Sequence, residues 1–116
     1  MEQDTVASVD RLARIRDLND QLRTRGLGGM IAVTDGIASL RPDLGRAVHK
    51  EVAAFSAFNK DNDPHQEHDF GSLEVGGNTI FWKIDYYDRT MTAGSEDPAD
   101  PKSTTRVLTI MLAEEY

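Results

Sequence analysis

The chain has 116 residues, no cysteine and a formal net charge of −7. This length suits a single domain over residues 1–116, and the absence of cysteine excludes disulfides, thiolate metal ligands and cysteine nucleophiles. Residues 1–60 carry eight acidic and nine basic side chains (net +1), and residues 61–116 carry twelve acidic and four basic (net −8). The acidic second half argues against direct binding of nucleic acid.

The apolar runs of the sequence bear on its localisation. The N-terminal segment is charged throughout and lacks the apolar core of a signal peptide. The longest apolar run, residues 107–113, is far shorter than the roughly 20 residues that a membrane span requires. The sequence therefore predicts a cytoplasmic protein that makes no contact with a membrane.

The first half of the chain predicts two helices separated by a short strand. Apolar residues from Val6 onward recur every three or four positions, which predicts an amphipathic helix over residues 6–25 that ends at a glycine. The run Met30–Val33 lies between glycine-containing turns and predicts a buried strand. Pro42, followed by an acidic residue, begins a second helix whose apolar stripe runs to about Asn59 and is expected in the core.

The second half predicts a hairpin and a final helix. Residues 70–75 and 79–87 flank a Gly-Gly-Asn turn and predict a β-hairpin, in which the alternate side chains that include Trp82 face the core. Residues 88–102 predict a mobile connector. The last segment combines helical apolar spacing with β-branched composition, and its Asp-Pro start and polar end favour a helix. The order α-β-α-β-β-α predicts a small α+β domain, with helices packed on one face of a mainly antiparallel sheet.

The polar stretch DNDPHQEHDFG, residues 61–71, is the first candidate for chemistry. Imidazoles and carboxylates are the ligands that zinc, manganese or iron use, which makes His65, His68 and Asp69 a candidate divalent-metal site. The spacing matches neither an EF-hand loop nor an HExxH helix. Asp, Asn and Pro also form turns by bonding their own backbone, so a turn that holds no cofactor is the favoured interpretation.

A nuclease interpretation combines this loop with the second hairpin strand. Enzymes that cut phosphodiesters often place one acidic residue before a hairpin and an acid-x-lysine triplet on the next strand, where the carboxylates hold a divalent ion. Asp69 precedes the hairpin here, and Lys83 and Asp85 lie on its second strand. The order Lys-Ile-Asp reverses the usual triplet, and the region is acidic. A metal-dependent hydrolase or nuclease is therefore the alternative hypothesis.

The outward side chains of the same strand predict either a contact surface or packing under a helix. If Trp82 faces the core, then Phe81 and Tyr87 face outward beside Asp85. A mixture of aromatic and charged groups is typical of protein contact surfaces, whereas aromatic pairs across strands are also typical of packing. Both interpretations remain open at this point.

Four strings carry a family resemblance, namely NDPHQEHDFG, FWKIDYYD, DPADP and RVLTIMLAEEY. Over roughly residues 15–116 the chain resembles a family of short bacterial proteins of unknown function that are common on plasmids and other mobile elements of proteobacteria. The resemblance implies no activity. It implies a setting, because small acidic proteins of mobile elements often bind and block a host protein, including nucleic-acid-targeting defence machinery.

The leading hypothesis is a small acidic protein-binding module without enzymatic activity, namely an anti-defence inhibitor of the anti-CRISPR or anti-restriction kind. Its expected partner is a host protein with a basic, nucleic-acid-binding surface, and the oligomeric state is left open. The predicted partner-binding residues are Asp61, Asp63, Glu67, Asp69, Phe81, Asp85, Tyr87 and Asp88.

Overall fold

Three α-helices and four strands follow one another along residues 2–116. The computed structural model describes the backbone of these residues and the side chains from residue 8 onward. Its elements are α1 (Glu2–Arg25), β1 (Met30–Val33), α2 (Asp35–Ala38), α3 (Pro42–Ala54), β2 (Phe70–Val75), β3 (Asn78–Tyr87), β4 (Thr105–Leu112) and a closing 3-10 turn (Ala113–Glu115). The predicted α+β class is confirmed.

The first helix ends where the sequence predicts but begins earlier. The predicted start at Val6 is wrong, because the helix already runs from Glu2, and the side chain of Val6 lies outside the described ones. At the other end Gly26 adopts φ 69°, in the left-handed region, and its N–H bonds to the Leu22 carbonyl at 2.9 Å. Ile15 and Leu22 are buried, as the apolar spacing requires.

The four strands form one mixed sheet in the order β1-β4-β3-β2. Strand β4 pairs antiparallel with β3 and parallel with β1, while β2 and β3 form the predicted hairpin. The hairpin turn holds Gly76 at φ 57° and Gly77 at φ 83°, backbone conformations that a tight turn requires and glycine adopts readily. The prediction of a mainly antiparallel sheet is confirmed.

The predicted final helix is wrong, because this segment forms strand β4 (Thr105–Leu112). As a central strand, β4 pairs along both edges and is largely buried on both faces, so its side chains from Val107 to Leu112 are apolar except for Thr109. That run imitates helical spacing at Val107, Leu108 and Met111. The β-branched residues, such as Thr105 and Ile110, were the better guide, because two neighbouring strands stabilise the extended backbone.

The helical segments between β1 and β2 also differ from prediction. A short helix, α2, follows β1 directly, and α3 ends at Ala54 rather than near Asn59. The backbone becomes extended at Phe55, with φ −61° and ψ 131°. The guanidinium of Arg23 stabilises this end, because it satisfies carbonyls that the helix leaves without partners. It donates to Val52, Ala53 and Phe55, at 3.2, 3.0 and 2.8 Å.

All three helices pack on the same face of the sheet, as predicted. Leu22 of α1, Ile37 of α2 and Val48 of α3 join one buried cluster with the Trp82 side of the strands. Trp82 is fully buried, which confirms the predicted orientation of β3. Gly71 lies directly against the indole, where an added Cβ would overlap the ring at 2.6 Å from Cε2. No helix within residues 2–116 combines the length and the hydropathy that a membrane crossing requires.

Candidate functional site

The polar loop between α3 and β2 is held largely by bonds within itself. The side-chain oxygen of Asn59 accepts the N–H groups of Asp61 and Asn62 at 2.8 and 3.1 Å, and Asn62 accepts the Asn59 N–H at 2.8 Å. Asp63 is buried and accepts the His68 N–H at 3.1 Å. Asn and Asp form turns through side-chain-to-backbone bonds of this kind. A turn therefore accounts for the spacing of the polar motif.

His68 connects this loop to α1. Its Nδ1 donates to the Asp20 carboxylate at 2.9 Å, and its ring stacks on Phe58 with 3.8 Å between centroids. The other ring nitrogen, Nε2, lies 3.8 Å from a carboxylate oxygen of Asp63. Gln66 and His68 have φ 58° and 56°, a left-handed conformation that costs energy in residues other than glycine. The contacts of His68 hold the loop in this strained conformation.

A buried polar network extends from the loop to the sheet. Tyr86 donates to Glu67 at 2.6 Å, Asn19 donates to Tyr86 at 2.7 Å, and Arg106 donates to Asn19 at 2.6 Å. Burial, and next the bond to Glu67, raise the pKa of Tyr86, so the phenol keeps its proton. Burial lowers the pKa of Arg106. Since these side chains satisfy one another, the network stabilises the junction of α1, the loop and the sheet.

The candidate metal ligands lie in different environments. His65 is exposed, His68 is engaged with Asp20 through Nδ1, and Asp69 is half-buried. Burial, and next the charge of Glu67, raise the pKa of Asp69. Among the side chains of residues 8–116, no group of three or more histidines and carboxylates is close enough to hold a metal ion.

An open groove of about 630 Å³ runs beside His68. Phe58 and His68 form part of its wall, and Arg16, Lys60 and Asp63 line it as well. Arg16 also donates to the Gln66 carbonyl at 2.8 Å, which fixes its position on the loop. Because the groove carries charges of both signs, its lining does not select one class of ligand.

The second candidate surface is the sheet face opposite the helices, which we call the open face. It carries the alternate side chains Phe70, Ser72, Glu74, Thr79, Phe81, Lys83, Asp85, Tyr87, Thr105, Val107, Thr109, Met111, Met30 and Ala32. Phe70, Phe81 and Tyr116 form an edge-to-face cluster with ring centroids 5.4, 5.6 and 6.3 Å apart. Lys83 and Asp85 form an ion pair at 3.1 Å. Aromatic groups mixed with charges are typical of protein contact surfaces.

Three of the predicted partner-binding residues share the open face. Phe81, Asp85 and Tyr87 alternate with the buried side chains of β3 and are half-buried there. Their common orientation was predicted from the strand alternation and is confirmed. Their contact with a partner stays a prediction.

The other predicted partner-binding residues lie away from the open face or are engaged within the chain. Asp63 and Glu67 complete the bonds described above on the helix side of the sheet, and Asp69 is half-buried. Asp88 accepts backbone and hydroxyl bonds from the turn that follows it, at 3.0 and 2.9 Å, and these bonds lower its pKa. Asp61 is exposed. The predicted residues therefore do not form one continuous acidic surface.

The exposed edge strand β1 is a feature that sequence reasoning missed. The predicted burial of β1 is wrong, because Met30, Ile31 and Val33 are 54%, 45% and 39% exposed. The strand lies at the edge of the sheet and has β4 on one side only. An available signal was its shortness between glycine-containing turns, which is common for edge strands.

Taken together, the fold and these surfaces define a small two-layer α+β protein in which the three α-helices of the described residues all lie on one face of the sheet. The chain belongs to the family described as Protein of unknown function (DUF3768), whose family model matches residues 33–115. This match confirms the resemblance to a family of unknown function, and it covers less of the N-terminal half than the expected residues 15–116. Comparisons with curated proteins and with solved structures found no match.

Proposed function

We propose that the protein is a small protein-binding module whose open face docks on a basic surface of another protein. The observation that carries the proposal is the sheet face opposite the three α-helices, on which Phe81, Asp85 and Tyr87 lie together. Aromatic side chains supply large contact areas, and an adjacent carboxylate supplies charge and orientation. Neither role requires a cofactor or direct contact with nucleic acid.

The distribution of charge supports a basic partner. Residues 61–116 supply three of the four strands and carry twelve acidic and four basic side chains (net −8). Of the basic side chains, Arg106 is buried and Lys83 is paired with Asp85. Few positively charged side chains of residues 61–116 are therefore available to repel a basic partner. A net negative charge accelerates association with such a partner and makes binding sensitive to salt.

We further propose that the partner is a nucleic-acid-binding host protein and that the role is anti-defence inhibition of the anti-CRISPR or anti-restriction kind. An acidic protein can compete with nucleic acid for the lysines and arginines that contact phosphates. The resemblance of the NDPHQEHDFG and FWKIDYYD strings to bacterial proteins of plasmids and mobile elements also supports this role. The site of action would be the bacterial cytoplasm.

Two matched charge reversals test the role of the open face. Asp85→Lys and Asp43→Lys each replace the acidic member of a surface ion pair, at 3.1 and 3.5 Å, but only Asp85 lies on the open face. With a purified partner, Asp85→Lys should weaken binding about tenfold or more, equivalent to roughly 1.4 kcal/mol. Asp43→Lys should have little effect. Equal weakening by both variants would contradict docking through the open face.

A metal-dependent hydrolase or nuclease is the second candidate we propose. The observation that favours it is the strained loop that holds His68 and Asp63 beside the groove, with the raised pKa of Asp69 nearby. Lys83 and Asp85 were expected to assist, but they pair with each other at 3.1 Å on the open face.

Thermal unfolding with saturating Mn²⁺ or Zn²⁺ tests this second candidate, because a ligand that binds the folded state raises the melting temperature. A rise in the wild type that His68→Gln abolishes would support it. An unchanged melting temperature in the wild type would count against it.

A further inference from the structure

We propose that β1 is a self-association edge, through which two copies of the chain pair antiparallel into one continuous sheet. The apolar side chains Met30, Ile31 and Val33 are 54%, 45% and 39% exposed, although they belong to a regular strand. Edge strands that avoid pairing commonly carry charged residues, prolines or bulges. The segment Met30–Val33 contains no charge and no proline, so its shortness is the only protective feature of such edges that its sequence shows.

The backbone of β1 shows which groups are available for pairing. The N–H of Thr34 bonds to the Ile110 carbonyl of β4 at 3.1 Å, so Thr34 directs its backbone groups toward β4. Backbone direction alternates along a strand, so Ala32 points the same way, whereas Ile31 and Val33 point away from β4. The N–H and C=O groups of Ile31 and Val33 therefore lie along the edge where the described sheet has no further strand.

One antiparallel register uses all of these outward groups. With Ala32 of one copy opposite Ala32 of the other, Ile31 of each copy lies opposite Val33 of the other in a hydrogen-bonded pair. The exposed β-branched side chains then become cross-strand neighbours, which is favourable in antiparallel sheets. Ala32 has the smallest side chain of the strand, so the two chains can approach closely at the two-fold axis.

The charges that flank β1 favour a second copy in the antiparallel direction. Exposed Arg25 precedes the strand and exposed Asp35 follows it. Antiparallel pairing turns the acidic end of each copy toward the basic end of the other, whereas parallel pairing would place the two Asp35 carboxylates side by side. A two-fold contact uses the same edge of both chains and is closed, so pairing at β1 ends with a dimer.

A single introduced thiol tests the register directly. The chain has no cysteine, so Ala32→Cys carries one thiol. In the proposed register the two Cα atoms at the axis are about 4.5 Å apart, which is within disulfide reach. Oxidation should convert Ala32→Cys from 12.9 kDa to twice that mass. Ser72→Cys, exposed on the opposite edge strand β2, is the control and should stay largely monomeric. Equal cross-linking of the two variants would contradict the register.

Sedimentation of chains without a thiol tests the association itself. The wild type should reach twice 12.9 kDa at high micromolar concentration. Ile31→Lys should remain monomeric with an unchanged far-ultraviolet circular dichroism spectrum, because Ile31 is exposed in the single chain. Ser72→Lys adds the same charge to β2 and should keep the dimer. A wild type that stays monomeric at all concentrations would overturn the proposal and leave the edge available to a strand from a different protein.

Discussion

Replacing Arg23 by alanine should destabilise the protein by removing the contact that holds the end of α3 on α1. The guanidinium is buried, donates to three carbonyls at the end of α3 and pairs with Asp20 at 3.1 Å. Bonds to a charged group contribute about 1.5–3 kcal/mol each, but their contributions do not add. Removing one member of a buried charged contact costs about 3–5 kcal/mol. This is a large share of the roughly 5–15 kcal/mol that keeps a small domain folded.

Urea unfolding, followed by the fluorescence of the single tryptophan, Trp82, and by circular dichroism, measures this loss. With an m-value of about 1.5 kcal/mol per molar urea, the midpoint of Arg23→Ala should fall by about 2–3 M. Arg23→Lys keeps the positive charge but lacks the planar guanidinium, so its urea midpoint should lie between those of the wild type and Arg23→Ala.

Arg11→Ala is the control for this experiment. The Arg11–Asp97 pair is half exposed, with side-chain exposures of 51% and 48%, and should contribute less than about 1 kcal/mol. If the free energies of unfolding of Arg23→Ala and Arg11→Ala differ by less than about 1 kcal/mol, the buried guanidinium does not hold α3 in place.

Three further variants test other contacts. Gly71→Ala places a Cβ in steric overlap with the indole of Trp82 and should lower the free energy of unfolding in urea by about 1–3 kcal/mol. An unchanged midpoint would show that the strand can shift to accommodate the methyl group without loss of stability. Asp69→Asn should raise the free energy of unfolding at pH 7 but not near pH 3. The folded-state pKa of Asp69 is raised, so the stability carried by its protonated form is present below the unfolded pKa and is lost as pH rises through the folded pKa. An equal gain at both pH values would contradict this reasoning. Glu115→Ala removes the acceptor of the Gly36 N–H and should speed the hydrogen exchange of that amide. Bonds to Thr34 and Leu112 lower the pKa of Glu115, so in the wild type the exchange protection of Gly36 should be lost as pH falls through this pKa. Exchange protection that does not depend on pH would argue against the contact.

Short-range signals predicted the parts of the fold that depend on neighbouring residues. The glycine cap after α1, the Gly-Gly turn of the hairpin and the alternation around Trp82 each act within a few positions, and all are confirmed. The extended conformation of β4 depends instead on pairing with strands from both halves of the chain. Burial on two faces made its sequence resemble a helix, so local spacing could not identify it.

The candidate site was harder to predict because its contacts are distant in sequence. His68 meets Asp20, which lies 48 residues earlier, and Arg106 meets Asn19 across 87 residues. A single sequence carries no signal for these pairings. Asp63 lies in a polar segment typical of a solvated turn, yet its side chain is buried. Burial is possible because the carboxylate accepts the His68 N–H, which compensates for its lost hydration. The exposure of β1 likewise follows from strand order, which local patterns do not specify.

The most direct test of protein binding through the open face is quantitative capture from a host lysate with wild type, Asp85→Lys and Asp43→Lys as baits. Wild type and Asp43→Lys should retain the same basic, nucleic-acid-binding protein at low salt. Asp85→Lys should retain about one tenth as much or less, and high salt should release the protein from the wild type. Equal retention by all three baits, or capture by none of them, would contradict protein binding through the open face.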